Sequence, residues 1–276
     1  MALALIVSQA SAQAEAAEAA PAVRVVAEMG YLAVLSHKIQ FGHDGTYIDY
    51  VEDGGQDVLF PVGRLSAELA PSAAHRIVLL YQPLALESRV LLAQDLVVDG
   101  LTYPKGTGAI MRYGFPFWRL SYLYDLDDDP FDELAFGLSL QVRDATIEFE
   151  STDGSRFRSN RDVGPVPILK ARWREGFAGG WWVGAEVDGF YAPISYINGS
   201  DNEVVGAIAD CSLRAGVRLE RGVEWFLNLR YLGGGATGTS ERAPTEPGDG
   251  YVRNWLHFLT VSVGATFDGF GPLVGD

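Results

Sequence analysis

The sequence predicts an all-β fold: a single up-and-down antiparallel β-barrel of about ten membrane-crossing strands, with one long extramembrane hairpin. Three observations carry this. Apolar and polar residues alternate along most of the chain from Gly30 onward, with no sustained helical period. The connections between alternating runs are short and long by turns. The polar face of the runs is dense in charge, while Trp and Tyr on the apolar face collect near the run ends.

Bulk composition narrows the classes first. A net charge of −15 argues against nucleic acid as a partner. One cysteine, Cys211, excludes an intrachain disulfide. No later stretch is apolar for the roughly 18 residues a spanning helix requires. At the start, Ala2 to Val7 is apolar and small residues follow. Ala10-Ser11-Ala12 and Ala12-Gln13-Ala14 fit a small-x-small cleavage site. Residues 1–14 are therefore expected to be an export signal, truncated because its basic segment is missing. Residues 15–29 are expected to be a flexible lead-in, 30–270 the barrel and 271–276 a tail.

The elements follow in order. Tyr31 to Phe41 is a weakly patterned first strand. Arg64 to Leu69 alternates around Leu65, Ala67 and Leu69. Ala74 to Val98 is a second weak strand, and Trp118, Leu120, Tyr122 and Tyr124 mark the fourth. Leu134, Phe136, Leu138, Leu140 and Val142 alternate with Gly137, Ser139, Gln141 and Arg143. Leu169, Ala171 and Trp173 alternate with Lys170, Arg172 and Arg174. In WWVGAEVDGFY the apolar Trp181, Val183, Ala185 and Val187 oppose Gly184, Glu186 and Asp188. Val204 to Leu219, Trp225 to Tyr231 and Leu259 to Phe267 complete the set.

Short links, such as APSA and ERGVE, follow the even-numbered strands. Long polar links follow the first, fifth, seventh and ninth, among them FGHDGTYIDYVEDGGQDV, ESTDGSRFRSNRDVGPVP and LGGGATGTSERAPTEPGDGYVRN. An up-and-down membrane barrel has this asymmetry, with tight periplasmic turns and long external loops. An even strand number then puts both termini on the periplasmic side.

Between the third and fourth strands, Asp99-Gly100 is a hairpin dipeptide midway between Ala74 and Leu126. Each arm of roughly 25 residues would reach roughly 80 Å, far past a hydrocarbon core of about 30 Å. Pro83 and Pro116 fall nearly opposite each other and forbid ladder donors. A paired kink is expected there, with SRVLLAQDLVVDGLTYPKGTGAI projecting into the medium above it; the alternative is a loop folded over the barrel mouth.

The polar face carries Arg64, Glu68, Arg119, Asp125, Arg143, Lys170, Arg172, Arg174, Glu186, Asp188, Asp210, Arg214, Arg218 and Arg230. No dry core holds such a set, so this face is expected to line a charged lumen. Trp118, Tyr122, Tyr124, Trp173, Trp181, Trp225 and Tyr231 lie near strand ends on the other face, as interfacial girdles against lipid do.

On these patterns, from Gly30 to Phe270, the chain resembles the bacterial outer-membrane β-barrel proteins. The final run LHFLTVSVGATF, closing on Phe267, looks like the terminal assembly signal of such proteins, although DGFGPLVGD follows it. The resemblance implies a bacterial outer-membrane location, lipid contact and recognition of the last strand by the barrel-assembly machinery.

Three functions fit this frame. The first is a surface protein with a structural or binding role, its lumen filled by ion pairs. The second is a narrow pore preferring small anions, because basic groups outnumber acidic ones on the polar face. The third is a rim hydrolase using the first external loop, where His43 lies near Asp44 and Asp49 and a histidine beside carboxylates can act as a base. The balance favours a non-enzyme. Asp125, Asp127 and Asp129 begin like a calcium loop, but Pro130 and Phe136 stand where it needs Gly and Glu. They are read as a turn, and neither metal nor cofactor is expected.

Overall fold

The chain is described here from a computed structural model covering residues 22–127, 129, 131–193, 203–219, 222–241 and 247–269. The expected signal segment and its cleavage sites, the tail at 271–276, and most of the link SYINGSDNE lie outside the described residues.

Ten antiparallel strands close a ring. In chain order they are β1 (Ala22–Phe41), β3 (Leu59–Ala70), β4 (His75–Gln82), β9 (Phe117–Asp125), β10 (Glu133–Ser151), β11 (Phe157–Gly176), β12 (Trp181–Pro193), β13 (Glu203–Arg218), β14 (Val223–Thr239) and β15 (Tyr251–Asp268). Each pairs with the next, and β15 returns to β1 in a register running from Arg24↔Asp268 to Phe41↔Val252. The seam is tied by an ion pair, Arg24 Nε to Asp268 Oδ1 at 2.7 Å.

Among the described residues, five short strands lie off this ring. They are β2 (Ile48–Asp49), β5 (Ala85–Leu91), β6 (Leu96–Val98), β7 (Leu101–Tyr103) and β8 (Gly108–Gly114).

Exposure reports which face meets lipid. Along β9, Phe117, Arg119, Ser121, Leu123 and Asp125 are buried, while Trp118, Leu120, Tyr122 and Tyr124 are exposed. Arg119 is 1% exposed and its neighbour Trp118 52%. On the outer wall Leu138 and Leu227 are also more than half exposed. A water-soluble barrel would reverse this arrangement. The apolar face is outside, and the strands close a membrane barrel around a polar interior.

Several boundaries differ from the sequence expectation. The lead-in is not flexible up to residue 29: β1 begins at Ala22, because Val25 and Ala27 continue the alternation and both neighbours supply ladder partners. The long link after the fifth strand is mostly strand. β10 and β11 continue past the belt and leave only residues 152–156 as a turn. The link after the ninth strand shrinks likewise, since β14 runs through its three consecutive glycines to Thr239 and β15 starts at Tyr251.

The proline kinks fall where expected. β4 ends before Pro83 and β9 starts after Pro116. Above them, β5 and β8 leave the ring and extend a side sheet in the order β5–β8–β10. The tip of this hairpin does not project into the medium. β6 and β7 turn back over the mouth, where Asp99 N donates to Phe41 O (3.3 Å) and Thr46 N to Val97 O (2.9 Å). Tyr103 Oη donates to Phe149 O (2.8 Å). The tip is apolar, and over the mouth it buries Leu96, Val98 and Tyr103 against Phe41 and Phe149. Projection would leave those side chains in water.

Candidate functional site: a salt-bridged lumen under an apolar cap

The inner face of the ring divides into two layers. The layer toward the short turns is ionic. Arg230 from β14 donates two bonds to Asp210 on β13, at 2.6 and 2.7 Å, and a third to Gln82 Oε1 on β4 at 2.6 Å. Arg119 from β9 meets Asp188 (2.9 Å) and Asp210 (3.0 Å), and donates to Gln141 Oε1. Lys170 on β11 lies 2.9 Å from both Glu186 and Asp188 on β12.

Arg64 on β3 reaches Glu186 at 3.2 Å, from strand to strand across the lumen. Arg172 on β11 crosses to Glu68 on β3 (2.7 Å) and also meets Glu133 (2.6 Å). Arg214 on β13 reaches Glu28 on β1 at 3.3 Å. Arg174 and Arg218 share Glu224, at 2.8 and 2.7 Å. Arg143 stands higher, beside Asp162 on β11. Alternation brings these residues inward, and the curvature of a narrow ten-stranded ring brings opposite walls within reach of an arginine.

Asp125 likewise lies beside Arg76, at 3.1 Å. Sequence reasoning missed Glu28, Glu133 and Glu224. Glu28 was assigned to the lead-in, Glu133 and Glu224 to turns. Their signal was phase: Glu28 is two pairs of residues beyond Arg24, and Glu224 keeps step with Asn228 and Arg230. Arg24 and Arg76 join the inner face as well, beside Asp268, Glu68 and Asp125, so the expected cationic surplus of the lumen is reduced rather than removed.

The layer toward the long links is apolar. Leu32 and Phe41 on β1, Leu232 on β14 and Phe258 on β15 point inward and meet Tyr50 of the first loop and the hairpin tip. His37 is fully buried among them, with Tyr50 stacked on its ring at 4.1 Å and Gln56 Oε1 2.9 Å from its Nδ1. The first loop is thus a packed part of the cap.

The rim candidates do not converge. His43 pairs with Asp249 of the last loop, Nδ1 to Oδ2 at 2.8 Å, and both are well exposed. Asp49 faces Lys38 (3.3 Å) and accepts the Val51 and Glu52 N–H groups. Asp44 is exposed. The His43 N–H, with its ring behind it, holds the Asp249 carboxyl down at about 2.

The expected girdle residues Trp118, Tyr122, Tyr124, Trp173, Trp181 and Trp225 are exposed on the outer wall. Tyr231 is half-buried instead, its ring lying along His257 with Oη 2.6 Å from Nδ1. At the 125–131 turn the carboxylates accept backbone N–H groups: Asp127 N donates to Asp125, Asp129 N to Asp127, and Phe131 N to Asp129.

No protein-family model matches the chain, and no curated protein is similar to it in sequence. Among solved structures it is similar to the outer membrane protease OmpT from Escherichia coli, with a TM-score of 0.42 and 12% identity, over 90% of this chain and 97% of that one. The transport unit of the autotransporter AIDA-I from Escherichia coli gives a TM-score of 0.42 and 9% identity, over 91% of each chain. The outer membrane protein OprG from Pseudomonas aeruginosa gives 0.30 and 12%, over 91% and 97%. The chain has the fold of the bacterial outer-membrane β-barrel proteins, read from its own closed ring and outward apolar face.

Proposed function

We propose that this chain is a closed outer-membrane scaffold that presents its external loops and side sheet for a structural or binding role at the cell surface. The short-turn end, with both chain ends, faces the periplasm, and β15 is the strand the barrel-assembly machinery reads. Lipid is the partner of the outer wall.

One observation carries the reading: charges from opposite walls meet across the lumen beneath an apolar cap, as in Arg64–Glu186 and Arg172–Glu68. A conducting path needs hydrated space along its whole length. The anion-preferring pore loses part of its basis once Glu28, Glu133 and Glu224 join the lumen. The rim hydrolase keeps only an exposed His43–Asp249 pair, and a His43→Ala variant is expected to match the parent on a panel of peptides and lipid esters.

Planar-bilayer recording tests the scaffold. Purified protein inserted in a bilayer is expected to show no steady unitary current in 1 M chloride. Stable channels with anion preference that Lys170→Glu and Arg172→Glu reverse would replace the scaffold with the pore.

A further inference from the structure

The lipid-facing wall carries a hollow of about 490 Å³ across β12, β13, β14 and β15. It lies at the end of the belt toward the long links. Its volume is within the range of about 300–1,000 Å³ that small-ligand sites occupy.

Register shows how the hollow is made. Tyr191, Ala207, Gly235 and Trp255 pair across the four strands in one outward row. Gly189, Ala209, Gly233 and His257 form the next row toward the short turns. Neighbouring strands lie about 4.8 Å apart, so the backbones at Tyr191 and Trp255 stand about 14 Å apart across a floor of small residues. Tyr191, 73% exposed, stands up as one wall, and Trp255 and His257 form the other. Tyr231 closes the lower end. Its ring leans along the strand, so that a Cβ at Gly233 would run into its Oη, which lies 2.6 Å from His257 Nδ1. This is why Tyr231 departs from the exposed girdle.

A cation stands above the slot. Arg253 is in phase with Trp255 and His257 on β15 and is exposed, two residues, or about 7 Å, beyond Trp255. Its guanidinium lies over the Tyr47 ring at 4.5 Å, and no carboxylate among the described residues pairs with it. Lys38, beside Trp255 in register, is already held by Asp49 at 3.3 Å. Glu203, in the same outward phase, stands a row higher and two strands away. An apolar slot open to lipid beneath a free guanidinium matches an amphiphile with an anion above a hydrocarbon chain. Arginine recognises phosphate through paired N–H donors, and an interfacial position suits it.

We infer that this hollow is a binding site for one anionic phospholipid, with an acyl chain along the Ala207–Ala209 floor between Tyr191 and Trp255 and the phosphate on Arg253. The chain fills a dent that disordered lipid would pack poorly, and dispersion contacts with the two aromatic walls hold it. The site does not depend on whether the lumen conducts, so its test and the bilayer recording fail separately.

Native mass spectrometry of the detergent-solubilised full chain is the test, with phosphatidylglycerol and phosphatidylcholine as competing lipids. The parent is expected to retain one phosphatidylglycerol and to prefer it over phosphatidylcholine. Ala207→Phe with Ala209→Phe fills the floor and should abolish retention; Leu138→Phe, on the lipid face of β10, should leave it intact. Arg253→Ser keeps the slot and should abolish the preference. A parent that holds the two lipids equally overturns the site, as does a filled-floor variant that retains lipid like the parent or an Arg253→Ser protein that keeps the preference. A dimer that the double substitution dissolves would give the hollow to a second copy and overturns it too. Arg253 is exposed, so that arm stands even if the filled-floor variant fails to fold.

Discussion

Arg230 shows what a charge does inside a membrane barrel. Its guanidinium is 2% exposed and satisfied by both Asp210 oxygens and by Gln82. Desolvating the pair is expensive, and breaking it is worse, because the surviving carboxylate has no water to turn to. Arg230→Ala is expected to lower stability by about 3–5 kcal/mol, read from urea unfolding in lipid vesicles. The opposite error is a charge on the outside. Leu138, on the lipid-facing side of β10, is 64% exposed, and Leu138→Arg should cost about 2–4 kcal/mol if it lies near the midplane. These residues were legible beforehand because a strand has only two faces, and each residue announces its own. Glu28 was not, since a lone carboxylate among Ala and Val reads as a linker until β3 and β15 are seen on either side of it.

At the scale of elements, the cap is the part that sequence left open. The hairpin turn at Asp99-Gly100 was legible, and both residues take positive φ, 44° and 73°, as a two-residue turn matched to strand twist requires. Where the turn sits was not. Asn160 on β11 donates to Asp99 at 2.8 Å, a contact 61 positions away in sequence. Asp99→Val should strain the turn and lose this bond, freeing the tip; faster protease cleavage within residues 92–107 in intact outer membranes is the measurement. The clasp between the first and last loops is electrostatic. The Asp249 carboxyl lies at about 2 when folded, below its unfolded value near 4. A depressed folded value means that its contribution is complete above about pH 4 and fades as pH falls through about 2. Pepsin cleavage in residues 43–58 is therefore expected to rise between pH 4 and pH 2, and Asp249→Asn should show the fast rate already at pH 4.

For the whole molecule, the proposed closed scaffold rests on two independent barriers, the ionic layer and the cap. Removing one leaves the other. Replacing residues 93–106 with a short Gly-Ser link is expected to leave a heat-modifiable, folded barrel that still fails to conduct in a planar bilayer. A large steady current from that variant would show that the ionic layer is open to water. The number of ring strands and the outward apolar face follow from local pattern, because the pleat sends alternate residues to opposite sides whatever the rest of the chain does. Whether the interior is open depends on distances between residues far apart in sequence. Arg64 and Glu186 are 122 positions apart and Arg214 and Glu28 are 186, yet both pairs meet across the ring. A period of two states which way a side chain points. Only ring closure, by bringing opposite walls together and folding an apolar hairpin into the mouth, decides what that side chain finds there.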